Sequence, residues 1–555
     1  MSSEARDIAP AVSADSRARL ARIPATIRHI HLIGVAGSAM AALAGMLAAR
    51  GYRVTGSDNQ LYEPTASLLK ALRIDIRNGY DAANLAPAPD LVVVGNVVPR
   101  ANPEAQALLA SNIPYVSMPE ALWHLFLRDR RVLMVAGTHG KTTSTAMMAH
   151  VLEAAGRDPS MLVGGVARDF GTNYRLGGGR DFVIEGDEYD TAFFDKGPKF
   201  LHYHATGAII TAVEFDHADI YRDLDHVKSS FRALAVQMDE PRARMDDTRA
   251  SVAQENATGA PVARADDART PAAHEDESRA QMDEYRAPQA QANEARVLAA
   301  QANEARVLVV CADFPHALEV SAATRARRLT FGLKAGEFRA TAIAIGPAGA
   351  RFSIERDGKR VASDLELPIG GRMNVANALG VWVLLREFGL GDEELACGLK
   401  TFAGVKRRQE IVGEARGITV IDDFAHHPTA IGVTLEALAE RYAGRRILAA
   451  FEPRSNTARR SVFQHGFAAA FDRASRVYLG AVYFKENDPL PPADRLDTDA
   501  LASAIAARGP AACSFATTDE ILERIVADAR PGDVVVCMSN GPFDGLPQHL
   551  LAALH

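Results

Sequence analysis

The chain of 555 residues is poor in cysteine. Its four cysteines, Cys311, Cys397, Cys513 and Cys537, lie far apart, with no CxxC pair and no His/Cys cluster at zinc spacing. That excludes a disulfide framework and a structural zinc, and it fits a reducing compartment. Positive charge is not in excess: 62 Lys and Arg face 69 Asp and Glu, a formal net charge of −7. Without clustered positive charge, no nucleic-acid partner is expected. The N-terminal MSSEARDIAPAVSADSRARL lacks the apolar core of a secretory signal. The longest charge-free stretch, 29–49, is broken at Gly34 and Gly37. It suits a strand, turn and helix better than a membrane span, which needs about 20 apolar residues. A soluble, cytoplasmic protein with no evident obligate protein partner is expected.

What is present is ordinary globular material, 48% hydrophobic and 24% charged, in a length that suits three to four domains. Residues 1–28 read as a disordered tail. From His29 apolar runs alternate with helical stretches: HIHLIGVAG, SAMAALAGMLAARG, YRVTGSD, DLVVVGN. Such alternation argues for parallel α/β sheets. A second block starts at RVLMVAGTHGKTTSTAMMAHVLEAAG and a third near Ile411, with GITVIDDF, RRILAAFEP, RVYLG and GDVVVCMSNG. The expected division is 29–128, 129–410 and 411–555. Residues 235–306 interrupt the middle block, with Tyr285 their only aromatic and QANEARVL repeated at 291–298 and 301–308. This composition buries too little apolar surface to offset ordering entropy, so a disordered insertion is expected.

The strongest chemical signal is Gly137-Thr138-His139-Gly140-Lys141-Thr142-Thr143, between the apolar VLMVA and a helix. A glycine turn at a helix N-terminus aims backbone N–H groups at phosphate, Lys141 reaches the terminal phosphates, and the Thr142 hydroxyl suits Mg²⁺. Val135 stands where a full P-loop has its first glycine. Glu185, Asp187, Glu188 and Asp190 follow the run FVI, where a sheet presents ligand-binding loops. A solvated acidic loop is the alternative. Glu214, Asp216 and His217 end another apolar run, and the histidine beside two carboxylates is a candidate ligand for a second Mg²⁺. Gly34, Gly37 and Ser38, with Asp58 about twenty residues on, form a glycine turn spaced GxxGxx. That spacing fits a nucleotide diphosphate without a nicotinamide.

These residues resemble the Mur ligase family, ATP-dependent enzymes that build the peptide of bacterial peptidoglycan. The blocks carrying the resemblance are GVAGSAM, GTHGKTT, EGDEYD with EFDH, RMNVANAL with GVKRRQE, and DDFAHHPTAI. The resemblance implies a three-domain α/β architecture: a Rossmann-like UDP-binding domain, a P-loop ATPase domain and a Rossmann-like C-terminal domain. The phrases EYDTAFFDKGPKFLHY, FEPRSNTAR and MSNGPFDGL look like the recycling branch of the family. That branch attaches a murein tripeptide, L-alanyl-γ-D-glutamyl-meso-diaminopimelate, to UDP-N-acetylmuramate. The sister branch that adds a single L-alanine is the alternative.

By this resemblance ATP is bound by 137–143, Asn374 and Asn377, with Arg408 and Asp423 closing over it from the third domain's side. Thr142, Glu185 and His217 hold two Mg²⁺ ions. His426 and His427 accompany the closure, although packing explains either equally well. Gly34, Gly37, Ser38 and Asp58 bind the UDP-sugar, and Arg454, Ser455 and Asn456 bind the peptide. Met373 departs from the family's usual histidine, and Lys228 is a nearby lysine without the context of the carbamylated lysine some relatives carry.

Overall fold

Runs such as LVVV, RVLMVA and VVVCM bury every residue, which a parallel strand covered on both faces requires. The computed structural model describes residues 14–61, 63, 65–216, 220–239, 305–456, 458–484 and 490–555. They build three principal sheets, as the three α/β blocks imply. The first contains β1 (His29–Ile33), β2 (Arg53–Asp58), β3 (Asp75–Asn78), β4 (Leu91–Val94) and β5 (Tyr115–Ser117), ordered β3-β2-β1-β4-β5 and parallel throughout.

The second sheet comprises β6 (Arg131–Ala136), β7 (Ser160–Ala167), β8 (Thr172–Arg175) and β9 (Asp181–Gly186). A hairpin, β10 (Asp190–Ala192) and β11 (Asp195–Pro198), stands apart from it. The sheet continues with β12 (Gly207–Ile210), β13 (Val307–Cys311), β14 (Arg327–Gly332), β15 (Phe338–Gly346), β16 (Gly349–Arg356) and β17 (Lys359–Leu367). Its order is β17-β16-β15-β14-β13-β12-β6-β9-β7-β8. The third sheet contains β18 (Glu410–Ala415), β19 (Ile418–Asp423), β20 (Ile447–Phe451), β21 (Arg476–Leu479), β22 (Ala511–Ser514) and β23 (Val534–Met538). It is ordered β18-β19-β23-β20-β21-β22 and parallel except at β18.

One apolar core runs from the first sheet onto one face of the second, joining Ile30, Leu43, Phe126, Ile184, Phe200 and Phe231. The opposite face packs against the helices Lys141–Ala154 and Arg372–Glu387, with Trp382 fully buried. Separate clusters cover the two faces of the third sheet. In the first sheet the strand order reverses beside β1, and the Gly34 turn follows β1. Open α/β sheets bind ligands at such switch points. Among the described residues no helix is long and apolar enough to cross a membrane.

Two expectations need correction. The disordered tail fails from residue 14 on: Ala14–Ala21 is a helix, with Ser16 buried and Arg19 bonded to Glu120. Its order comes from a tertiary ion pair, which composition does not reveal. Ala235, Val236 and Gln237, assigned to the insertion, complete the helix Leu224–Gln237, and Arg306 Nη1 donates to the Gln237 carbonyl at 2.8 Å. The remainder of the insertion, 240–304, lies outside the described residues.

Candidate active site

The register of the second sheet assembles the phosphate cradle. β6 pairs with β9 so that Val135 sits beside Glu185, and with β12 so that Ala136 sits beside Ile210. The turn after β6 therefore lies between the acidic loop and the segment 211–216. A Cβ on Gly137 would lie 2.3 Å from Thr211 Oγ1, and one on Gly140 would lie 2.5 Å from Asn377 Oδ1. Both glycines have positive φ, so both space and conformation demand glycine there. Thr138 N donates to the Ala212 carbonyl (2.8 Å), Glu214 N to Thr138 Oγ1 (2.9 Å), and His139 Nε2 lies 2.8 Å from Glu214 Oε2.

Lys141 Nζ donates to the Gly137 carbonyl at 2.7 Å and to Glu188 Oε1 at 2.9 Å. Burial pulls the Lys141 ammonium down, but Glu188, Glu185 and Asp187 more than compensate, so its pKa is raised. Thr142 Oγ1 donates to Glu185 Oε1 at 2.9 Å, and Gly164 N donates to Glu185 Oε2 at 2.7 Å. Burial, helped by Asp187, pushes the Glu185 carboxyl up. A hydroxyl and a carboxylate in contact at a helix N-terminus are a hard-oxygen pair of the kind Mg²⁺ takes. His217 lies outside the described residues; Asp216 beside it is buried. Lys228 pairs with Glu319 at 2.8 Å.

A second wall comes from the segment entering the third sheet. Arg408 Nη2 donates to Thr142 Oγ1 at 3.3 Å, and its guanidinium stands 5.0 Å from the Phe424 ring centroid. The flanking Arg407 and Gln409 adopt left-handed backbone (φ 58° and 51°), a strain held by surrounding bonds. Arg407 N donates to Glu410 Oε2 (2.7 Å), and its guanidinium reaches Asp422 (3.1 Å) and the carbonyls of Ser539 (2.7 Å) and Gly541 (2.6 Å). Asp423 accepts from Gln409 N at 2.8 Å and Ala425 N at 2.7 Å. Its carboxyl is raised by burial against the pull of Arg408. Asp423 thus shapes the turn that presents Arg408.

Asn374 Nδ2 donates to the Gly370 carbonyl (2.7 Å), and Asn377 Nδ2 faces Asn374 Oδ1 at 3.4 Å. His427 Nδ1 caps the helix Pro428–Arg441 by accepting from Thr429 N (3.3 Å), and its ring lies 5.3 Å from His139. Burial lowers its pKa to about 4, so the imidazole is neutral at pH 7. His426 Nδ1 lies 3.0 Å from the Phe424 carbonyl.

In the first sheet Gly34 N donates to the Ser57 carbonyl (2.9 Å). Asp58 accepts from Ala36 N (2.9 Å) and the Tyr80 hydroxyl (3.2 Å). Gly37 precedes the helix Ser38–Ala49, and Asn173 Nδ2 donates across from β8 to Ser38 Oγ (3.3 Å). A cavity of about 420 Å³ opens beside Asp58. In the third domain Arg454 lies 3.8 Å from the Tyr483 ring centroid and bonds Glu452 at 3.2 Å. Ser455 Oγ accepts from Ala458 N (2.9 Å), and Asn456 Oδ1 from Arg459 Nη2 (3.1 Å). Glu452, Tyr483, Phe484, Thr518, Phe543 and Asp544 are among the residues lining a cavity of about 540 Å³ there.

Two contacts of the candidate site escape sequence reasoning. Glu188 stood among four carboxylates, and only the fold selects it as the Lys141 partner. Arg407 is adjacent to Arg408 in KRRQE, and no local signal distinguishes their roles.

Three family domains match the chain: the Mur ligase family catalytic domain at 29–130, the Mur ligase middle domain at 135–262, and the Mur ligase glutamate ligase domain at 407–541. Relatives from Haemophilus influenzae and Escherichia coli, each named UDP-N-acetylmuramate–L-alanyl-γ-D-glutamyl-meso-2,6-diaminoheptandioate ligase, are 34% and 35% identical. Each comparison covers 95% of this chain, and 99% and 98% of the relatives respectively. A crystal structure of a murein peptide ligase from Psychrobacter arcticus is 29% identical, with TM-score 0.63 over 95% of this chain and 98% of that one.

Proposed function

The chain belongs to the Mur ligase family, and on that premise we propose that it joins L-alanyl-γ-D-glutamyl-meso-diaminopimelate to UDP-N-acetylmuramate with ATP cleaved to ADP and phosphate, the amide-forming step of murein recycling. The observation that carries the chemistry is the convergence of Lys141, Thr142, Glu185 and Arg408, from two domains, on one helix N-terminus. The names of the two relatives and the phrases at 188–203, 451–459 and 538–546 support the peptide acceptor.

Joining a carboxylate to an amine in neutral water is uphill, so the acid must be activated. The lactyl carboxylate of the sugar nucleotide attacks the γ-phosphorus of ATP, ADP leaves, and an acyl phosphate forms. The alanyl nitrogen, as the free amine, then attacks the acyl carbon, the carbon–oxygen bond breaks, and phosphate departs carrying the proton the nitrogen gives up. Phosphoryl transfer needs positioning and charge balance more than covalent help. Lys141 exchanges its Glu188 contact for phosphate oxygens. Thr142 and Glu185 would hold Mg²⁺, which when bound neutralises phosphate charge; His217 is proposed for a second ion.

Arg408 brings a further positive charge from the third domain, and closure of that domain would exclude water from the reactive intermediate. Asn374 and Asn377 are proposed at the nucleoside side of ATP. Gly34, Gly37, Ser38 and Asp58 would form the diphosphate turn. Arg454, Ser455 and Asn456 would read the peptide, a guanidinium fork matching a carboxylate. The test is phosphate release with ATP and UDP-N-acetylmuramate, with tripeptide, L-alanine or no acceptor. Release with tripeptide alone is expected. Release with L-alanine alone overturns the acceptor assignment, and release in no arm overturns the reaction.

A further inference from the structure

The N-terminal helix Ala14–Ala21 meets the described active site through one hairpin. At its base, β10–β11 continues directly from Glu185, Asp187 and Glu188, and Lys199 just after it pairs with Asp187 at 3.3 Å. At its tip, Phe193 and Phe194 pack against the first domain's apolar cluster, on which Tyr80 and Tyr115 also pack, with the Phe194 and Tyr115 rings 5.2 Å apart. Tyr80 is the residue whose hydroxyl holds Asp58. The hairpin thus runs from the phosphate cradle to the first-domain apolar cluster on which Tyr80 packs.

Arg19 sits where that span is fastened. Its guanidinium lies 4.5 Å from the Phe194 ring centroid, donates to Glu120 Oε1 at 2.7 Å, and approaches Asp195 Oδ2 to 3.7 Å. Glu120 is fully buried in the first domain, where it also accepts from Ser117 N at 2.8 Å, while Asp195 belongs to β11 and pairs with His202 at 3.1 Å. Ser16, one turn before Arg19 on the same helix face, donates to Glu120 as well. Glu120, Asp195 and His202 present metal-type ligand atoms within 4.8 Å of one another, but the cation already among them is Arg19.

We propose that Arg19 is a positioning residue: it pins hairpin β10–β11 to the first domain and thereby fixes the acidic loop that meets Lys141 and Thr142. Two carboxylates from different domains share one guanidinium, which also lies in cation–π range of Phe194 at the hairpin tip. Removing it leaves fully buried Glu120 without its guanidinium and Asp195 with His202 as its remaining ion-pair partner, so the hairpin loses its polar link to the first domain.

Amide hydrogen exchange of the full chain tests this without reference to activity. Arg19→Ala is expected to speed exchange across 190–202 by about tenfold or more, because local opening there loses its main restraint, with β19–β23 unchanged. Arg19→Lys, which keeps the charge but not the fork, is expected to be intermediate. Millimolar guanidinium added to Arg19→Ala is expected to restore protection. Exchange at wild-type rates across 190–202 in Arg19→Ala overturns the proposal. Should that variant unfold, wild-type exchange in Arg19→Lys overturns it equally. The kinetic arm alone rests on the ligase reading: kcat for UDP-sugar-dependent ADP formation falls about tenfold to a hundredfold in Arg19→Ala through misplacement of the cradle. A wild-type chain that forms no ADP defeats the ligase reading and leaves the exchange arm to decide the role of Arg19.

Discussion

Two units of strand, glycine turn and helix occur here, one after β1 and one after β6, and their surroundings differ. Around the first, Gly34 and Ala36 are held by Ser57 and by Asp58, itself bonded to Tyr80, all from the same domain, and only Ser38 takes a bond from outside it, from Asn173. Around the second, Thr138, His139, Lys141 and Thr142 are bonded to 212–214, Glu188, Glu185 and Arg408, the last from the far side of the interdomain boundary. A turn whose glycine backbone is held by its own domain can bind a ligand at constant strength through a reaction. A turn stitched to several segments can hold charge that changes during the reaction. The first is suited to anchoring a substrate, the second to the chemical step.

That contrast breaks most readily at Lys141. Lys141→Ala should reduce ADP formation by about a thousandfold or more, since it removes a buried charge aimed at the reacting phosphates. Appreciable UDP-sugar-dependent turnover in that variant would remove the second turn from the chemistry. Arg408→Ala should lower kcat by about a hundredfold with little change in KM for the UDP-sugar, the signature of an interaction made mainly in the transition state. Arg454→Ala should raise KM for the tripeptide about tenfold to a hundredfold and for ATP much less; an equal rise for both refutes peptide recognition there.

Asp58→Ala sharpens the opposite side of the comparison. It should raise KM for the UDP-sugar about tenfold at nearly constant kcat, and unfolding should cost about 1–2 kcal/mol less because the Ala36 N–H and Tyr80 hydroxyl lose their acceptor. A collapse of kcat instead would make the two turns alike. Glu319 supplies the remote control. Its hydrogen bond to Lys228 holds its carboxyl at about 2, below the ordinary 4.5, against a smaller upward push from burial. The stability it contributes is present above pH 4.5 and is lost as pH falls towards 2. Because Glu319 itself is exposed, Glu319→Gln should cost less than about 1 kcal/mol at neutral pH, a gap that closes across that window in denaturant titrations.

Much of the fold was legible because parallel strands buried on both faces leave apolar runs, and glycine turns punctuate them. The phosphate turn and its acidic neighbours were legible because each lies within one short segment. The pairing of Lys141 with Glu188 rather than another carboxylate was not, because it depends on how the loop after β9 folds back. The Arg407 contacts to 539 and 541 were equally hidden, since the partners are over 130 residues away. The helix 14–21 is not legible in sequence because its anchor, Glu120, belongs to another element altogether.

Local order along the chain settled which segments carry phosphate, carboxylate and peptide chemistry, because each of those needs particular residue types at short fixed spacing. Tertiary structure alone decided which charges meet. Strand register and domain apposition place Glu185 on Thr142, Arg408 across from it, and Arg19 at the hairpin. Electrostatic contact depends on distance in space, and the residues that achieve it here come from all three sheets' surroundings.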